Sequence, residues 1–177
     1  MSSGSPTYAS GEHPVHLRLV QPWAGDLAAA RQRLEDGAAD WLGNPLDGSA
    51  ESPIRRFESD LALPMREQAR HMVLRKAALV ELGPPREAPK GFSVEVTWRS
   101  ANLAPVFPVF VGTLFVSENE LALDGYYAPP GGELGVILDR ALLNIAARGT
   151  ARWFLSRVAA AIDTRPAGAG SPPSQPD

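Results

Sequence analysis

The sequence predicts an α+β domain in which a long C-terminal helix packs on a curved antiparallel sheet. Three observations carry this. Residues 57–63 and 92–98 alternate apolar and polar side chains with period two, the mark of a strand with one wet face. Residues 109–116 and 120–127 form two further strand-like runs around a short polar turn. Residues 133–163 then switch to helical spacing, with no helical stretch between the preceding strands, an order that belongs to α+β rather than α/β folds.

The elements follow in chain order. Residues 1–13 and 164–177 are rich in Ser, Gly and Pro and cannot bury enough apolar area to offset their ordering entropy. Both ends are therefore expected to be disordered, leaving one folded domain over 14–163. Val15, Leu17 and Leu19 predict a first strand. Asp26 offers an N-cap, and Leu27, Ala30, Leu34, Ala38 and Trp41 follow at helical spacing, with Gly37 able to divide the helix into a pair. Gly43-Asn44-Pro45 stops it, and residues 44–53 read as a loop.

Residues 70–82 read as a strand in which Arg75-Lys76 interrupts both faces, a pattern that fits a bulge. Gly83 to Pro89 reads as a loop. If the turn 117–120 is centred on Glu118-Asn119, facing residues sum to 237. Val116 then opposes Leu121, Leu114 opposes Leu123, and Gly112 opposes Gly125 on the core face. Two facing glycines leave no side chains there, so either a helix approaches closely or a hollow opens, bordered by Phe110 and Tyr127. The last helix is expected to bury Leu134, Ile137, Leu138, Ala141, Leu142, Ile145, Leu155, Val158, Ala159 and Ile162, with Gly149 marking close packing or a slight kink.

At 177 residues, 44% hydrophobic and 21% charged, the chain has an ordinary globular composition. A net charge of −3 argues against nucleic acid as a partner. There is no cysteine, which excludes disulfides, thiolate nucleophiles and Cys-based metal sites. Met1 to Pro14 is polar and does not read as a signal peptide, and the most apolar run, Leu103–Val116, carries two prolines and is too short to span a bilayer as a helix. No stable membrane insertion and, by default, a cytoplasmic location are expected.

The stretches Phe57–Leu63, Trp98-Arg99, Phe107–Phe110 and above all 125–155, GYYAPPGGELGVILDRALLNIAARGTARWFL, carry a resemblance. With the order strand, helix or helix pair, antiparallel strands and long C-terminal helix, the chain resembles the helix-grip fold of the START-like, polyketide-cyclase-like (SRPBCC) superfamily, in particular its uncharacterised actinobacterial members. The resemblance implies a curved sheet wrapped around the C-terminal helix, with a cavity between them that holds lipids, sterols or polyketides. Some members are cyclases or aromatases, some carriers, some co-chaperones. No catalytic residues are shared across the superfamily, so none are assigned.

The residues offer little chemistry of their own. His13, His16 and His71 have no carboxylate at ligand spacing in the sequence, so no metal and no cofactor is expected. Glu58 with Asp60, and Glu95 with Arg99, project from strand faces opposite the apolar ones and are expected in solvent. Gly48-Ser49-Ala50 lacks the strand and helix of a nucleophile elbow, and Gly131-Gly132 lacks the rest of a phosphate loop. Arg148, Arg152 and Arg157 read either as an anion contact or as a solvated helix face.

A small hydrophobic ligand is the leading expectation, lined by Val94, Val96, Trp98, Phe110, Leu114, Leu123, Tyr127, Leu138 and Leu142. Two alternatives are an enzyme of the cyclase or aromatase type without metal or nucleophile, and an interaction module with a filled core. For the latter, Val111, Phe115 and Tyr126 would form an outer apolar face suited to a homodimer.

Overall fold

The computed structural model describes residues 14–46, 53–67, 70–101, 109–128 and 140–163, with side chains at 62–67, 70–76 and 140–143 left aside. The described elements are β1 (Val15–Pro22), α1 (Leu27–Asp36), α2 (Ala38–Leu42), β2 (Asn44–Leu46), β3 (Arg55–Glu67), β4 (Arg70–Leu82), β5 (Arg86–Ala88), β6 (Gly91–Ser100), β7 (Val109–Ser117), β8 (Glu120–Ala128) and α3 (Arg140–Ile162). The strands make one curved antiparallel sheet in the order β1-β8-β7-β6-β4-β3-β2, with β5 paired to β6.

The local rules hold through the N-terminal third. The Asp26 carboxylate accepts a hydrogen bond from the Ala29 amide at 2.8 Å and caps α1. Gly37 separates α1 from α2. Gly43 ends α2 at φ 121°, and a Cβ there would lie 2.5 Å from the Glu58 carbonyl oxygen, so glycine is required on both counts. The chain does not loop freely after it, because Asn44–Leu46 pairs with Phe57 and its neighbours as β2. A three-residue edge strand with a central proline gives no pattern to read in the sequence.

Two further expectations are corrected. β3 and β4 pair without interruption from Arg55↔Leu82 to Glu67↔Arg70, so no bulge sits at Arg75-Lys76. The irregularity lies further on. Leu82 pairs with Val96 and Arg86 with Ser93, so one chain advances four residues while its partner advances three. The surplus falls at Gly83-Pro84-Pro85, where the sequence suggests only a loop. The Gly83 amide still reaches the Glu95 carbonyl at 2.9 Å, and β5 resumes the edge. The two-residue Pro89-Lys90 turn then reverses the chain, with Lys90 at φ 66°.

Arg55 ties this corner together. Its guanidinium donates to the Leu34 carbonyl at 2.5 Å, to the Glu35 carbonyl, and to the Gly83 carbonyl at 3.5 Å. Two of these are unsatisfied carbonyls at the end of α1, where a cation also suits the helix dipole. Burial pulls the guanidinium pKa down, and the Glu35 and Asp36 carboxylates oppose that pull. One side chain thus joins α1, β3 and the surplus before β5.

α3 packs against β3 on one side and against β8 and β1 on the other. These strands lie towards opposite ends of the sheet order, so the sheet must curl to bring both to one helix. The face that α3 buries is Ala147, Thr150, Ala151, Phe154, Leu155, Val158 and Ile162. Ile145, expected on the buried face, is 52% exposed. Nine residues before Phe154, it stands about 180° around the helix from that buried ring, so it faces away from the buried side. Gly149 lies within an unbroken helix. No described helix is long and apolar enough to cross a membrane.

Candidate functional site

The concave face of the sheet is built by register. β6, β7, β8 and β1 align Val94 with Leu114, Leu123 and Leu19; Val96 with Gly112, Gly125 and Leu17; and Trp98 with Phe110, Tyr127 and Val15. On the far side of β6, Trp98 continues to Val80 and Phe57. Because side chains alternate along each strand, each such row lies on one face. The sum-to-237 register holds along the whole β7–β8 hairpin.

Seven of the nine expected lining residues therefore come together. Val94, Val96, Trp98, Phe110, Leu114, Leu123 and Tyr127 are all buried on the concave face, none more than 3% exposed. Leu142 belongs to α3, and Leu138 lies outside the described residues, as do His13 and Gly48-Ser49-Ala50.

The paired glycines behave differently from either expectation. A Cβ on Gly112 would fall 2.4 Å from the Asp124 carbonyl oxygen, 2.6 Å from the tip of the Phe110 ring and 2.8 Å from the Gly125 Cα. A Cβ on Gly125 would meet the Val111 oxygen, the Gly112 Cα and the same ring tip at 2.4–2.8 Å. The site is neither a hollow nor a helix contact: β7 and β8 pinch together, and Phe110 folds its ring over both glycines. Facing glycines crease a sheet and an aromatic ring covers the exposed backbone.

Phe110 is also the start of an aromatic series. Its ring stacks on Trp98 at 4.1 Å between centroids and 17° between planes. Trp98 meets Phe154 of α3 at 5.4 Å, and Phe154 meets Trp41 of α2 at 5.9 Å, both tilted. Such pairs add about 0.5–1.5 kcal/mol each beyond their buried area. The series runs from the crease in the sheet, through the helix above it, to the short second helix. Sequence periodicity indicates Trp98 and Trp41 but not Phe154, which falls between the apolar positions used to trace the last helix.

Polar groups on this face are few. Ser59 and Thr150 are buried. Burial raises the Tyr127 pKa above its usual value of 10.0, and the nearby Arg148 guanidinium opposes the rise. Arg148 itself is exposed and donates to the Asn144 amide oxygen at 3.0 Å. Arg157 leaves solvent in part, donating to the Trp41 backbone oxygen at 2.8 Å and lying 5.8 Å above the Trp153 ring. Arg152 is exposed. The indole N–H groups of Trp23 and Trp41 are buried and find no acceptor among the described residues. A buried donor left in that state costs about 1–3 kcal/mol.

The outer face is mixed. Glu58, Asp60, Glu95 and Arg99 are exposed, as expected from strand alternation. His16, read as having no carboxylate at ligand spacing in the sequence, does have one in space: Asp124 lies 2.7 Å away on β8 and also takes Arg18 at 3.3 Å. That pairing depends on a register across 108 residues and could not be read from spacing. Among the described residues no group of three or more His, Cys, Asp or Glu side chains could hold a metal ion. Val111, Phe115 and Tyr126 are 38%, 41% and 51% exposed. No family model matches this chain, and a search of curated proteins finds no match either.

Gly112→Ala is expected to lower stability by about 1–3 kcal/mol through overpacking, several degrees in melting temperature, whereas Val111→Ala on the outer face should cost under about 0.5 kcal/mol. Thermal unfolding of the two variants checks this; a Gly112→Ala protein as stable as the parent would contradict the crease. The raised Tyr127 pKa gives a second outcome. Above the ordinary value of 10.0 the unfolded chain sheds this proton while the native chain keeps it, so unfolding free energy falls as pH rises. Urea unfolding between about pH 9 and 11 should show a shallower fall in Tyr127→Phe than in the parent.

Proposed function

We propose that this chain is a helix-grip domain of the START-like superfamily that binds a small hydrophobic molecule, lipid or polyketide-like, between the sheet and α3. The observation that carries the reading is the concave face itself. Its rows are apolar from β1 to β3, an aromatic series crosses from them to the helix, and α3 answers with the small side chains Ala147 and Ala151. Small-molecule sites are mostly apolar with a few placed polar groups, and Tyr127 and the Trp41 indole are such groups here. A cytoplasmic carrier or sequestering role fits this chemistry.

Two other readings have observations behind them. The buried Tyr127 hydroxyl, within the field of the Arg148 guanidinium, is a group a cyclase or aromatase-type enzyme could use to polarise a substrate carbonyl. The exposed Val111, Phe115 and Tyr126 fit an interaction module that self-associates.

Titration of the full chain with diphenylhexatriene separates the first reading from the rest. Saturable emission with one site per chain is expected, changed severalfold by Trp98→Ala and left alone by Phe115→Ala on the outer face. Absence of saturable emission, or a Trp98→Ala variant indistinguishable from the parent, would remove the ligand-binding reading.

A further inference from the structure

The buried indole of Trp41 carries a hydrogen-bond donor that the described fold does not use. Its residue is 8% exposed, and its N–H has no acceptor among the described residues. Native proteins leave few buried donors unpaired, and each such group asks for a partner. Trp41 is held in place at two points. Its backbone oxygen accepts from Arg157 of α3, and its ring lies 5.9 Å from Phe154, which joins it to Trp98 and Phe110 on the concave face. The Trp41 ring thus joins the same aromatic series that forms the proposed ligand surface. Trp23, the other unpaired indole, is elsewhere: its backbone amide bonds the Asn119 carbonyl at 3.1 Å beside the β7–β8 turn.

We infer that the Trp41 indole N–H is the polar anchor of the ligand site and selects apolar molecules carrying a hydrogen-bond acceptor, a carbonyl or carboxyl oxygen, over plain hydrocarbons. The inference rests on the ligand-binding reading above and adds to it the chemical class of the ligand. A buried donor discriminates because a hydrocarbon leaves it unpaired while a carbonyl satisfies it, a difference of about tenfold in affinity.

The test compares two fluorescent probes on the full chain. Prodan is an apolar naphthalene with a ketone; diphenylhexatriene has no acceptor. Trp41→Phe keeps the ring and deletes the donor. Loss of about tenfold in prodan affinity with diphenylhexatriene binding unchanged supports the anchor. Unchanged binding of both probes overturns it while leaving the ligand-binding reading standing. A parent protein that binds neither removes both. Should Trp41→Phe not fold, the indole N–H resonance of Trp41 in the ¹⁵N-labelled parent decides: a shift with prodan and none with diphenylhexatriene supports the anchor, and a resonance unmoved by bound prodan overturns it.

Discussion

The contact on which the rest of this structure turns is the Phe110 ring lying over the Gly112–Gly125 pair. Two facing glycines let β7 and β8 approach more closely than any pair with Cβ atoms, but they also leave backbone bare on the core side. Phe110 covers that backbone with its own ring and offers the ring face to Trp98. The crease and its cover come from one strand, because Phe110 and Gly112 are two apart and share a face. A creased sheet can bring β3 on one side and β8 with β1 on the other against the same helix, as α3 requires.

A second constraint fixes the opposite corner. The surplus residue at Gly83-Pro84-Pro85 and the Arg55 guanidinium bind the end of α1 to β3 and to the start of β5. α2 then sits where Trp41 meets Phe154 and Arg157 reaches back to its carbonyl. The two short helices are therefore not a passive linker. They extend the aromatic series beyond the sheet and bring a buried donor to its end.

Much of this was legible in the sequence where the signal is local or periodic. The Asp26 cap, the division at Gly37, the β7–β8 register and the side of the sheet taken by Val94, Val96 and Trp98 all follow from spacing and turn chemistry. What escaped was set by distant partners. β2 is defined only by Phe57 and its neighbours across the sheet, and Asp124 reaches His16 only through the β1–β8 register. Charges at Arg75-Lys76 mimic a bulge, whereas the real one is hidden among prolines. Phe154 escaped because Ile145, a position that spacing puts on the buried face, stands half a turn away from it, and the face the sheet covers is the one continued by Ala147 and Ala151.

We propose that the surface between the concave face and α3 holds an apolar molecule. Native mass spectrometry of the full chain, purified without detergent or organic solvent, addresses it most directly. A species heavier than the bare chain by the mass of one small hydrophobic molecule, removed by organic extraction, is expected. A spectrum holding only the bare chain, unchanged after incubation with a lipid extract, would contradict it.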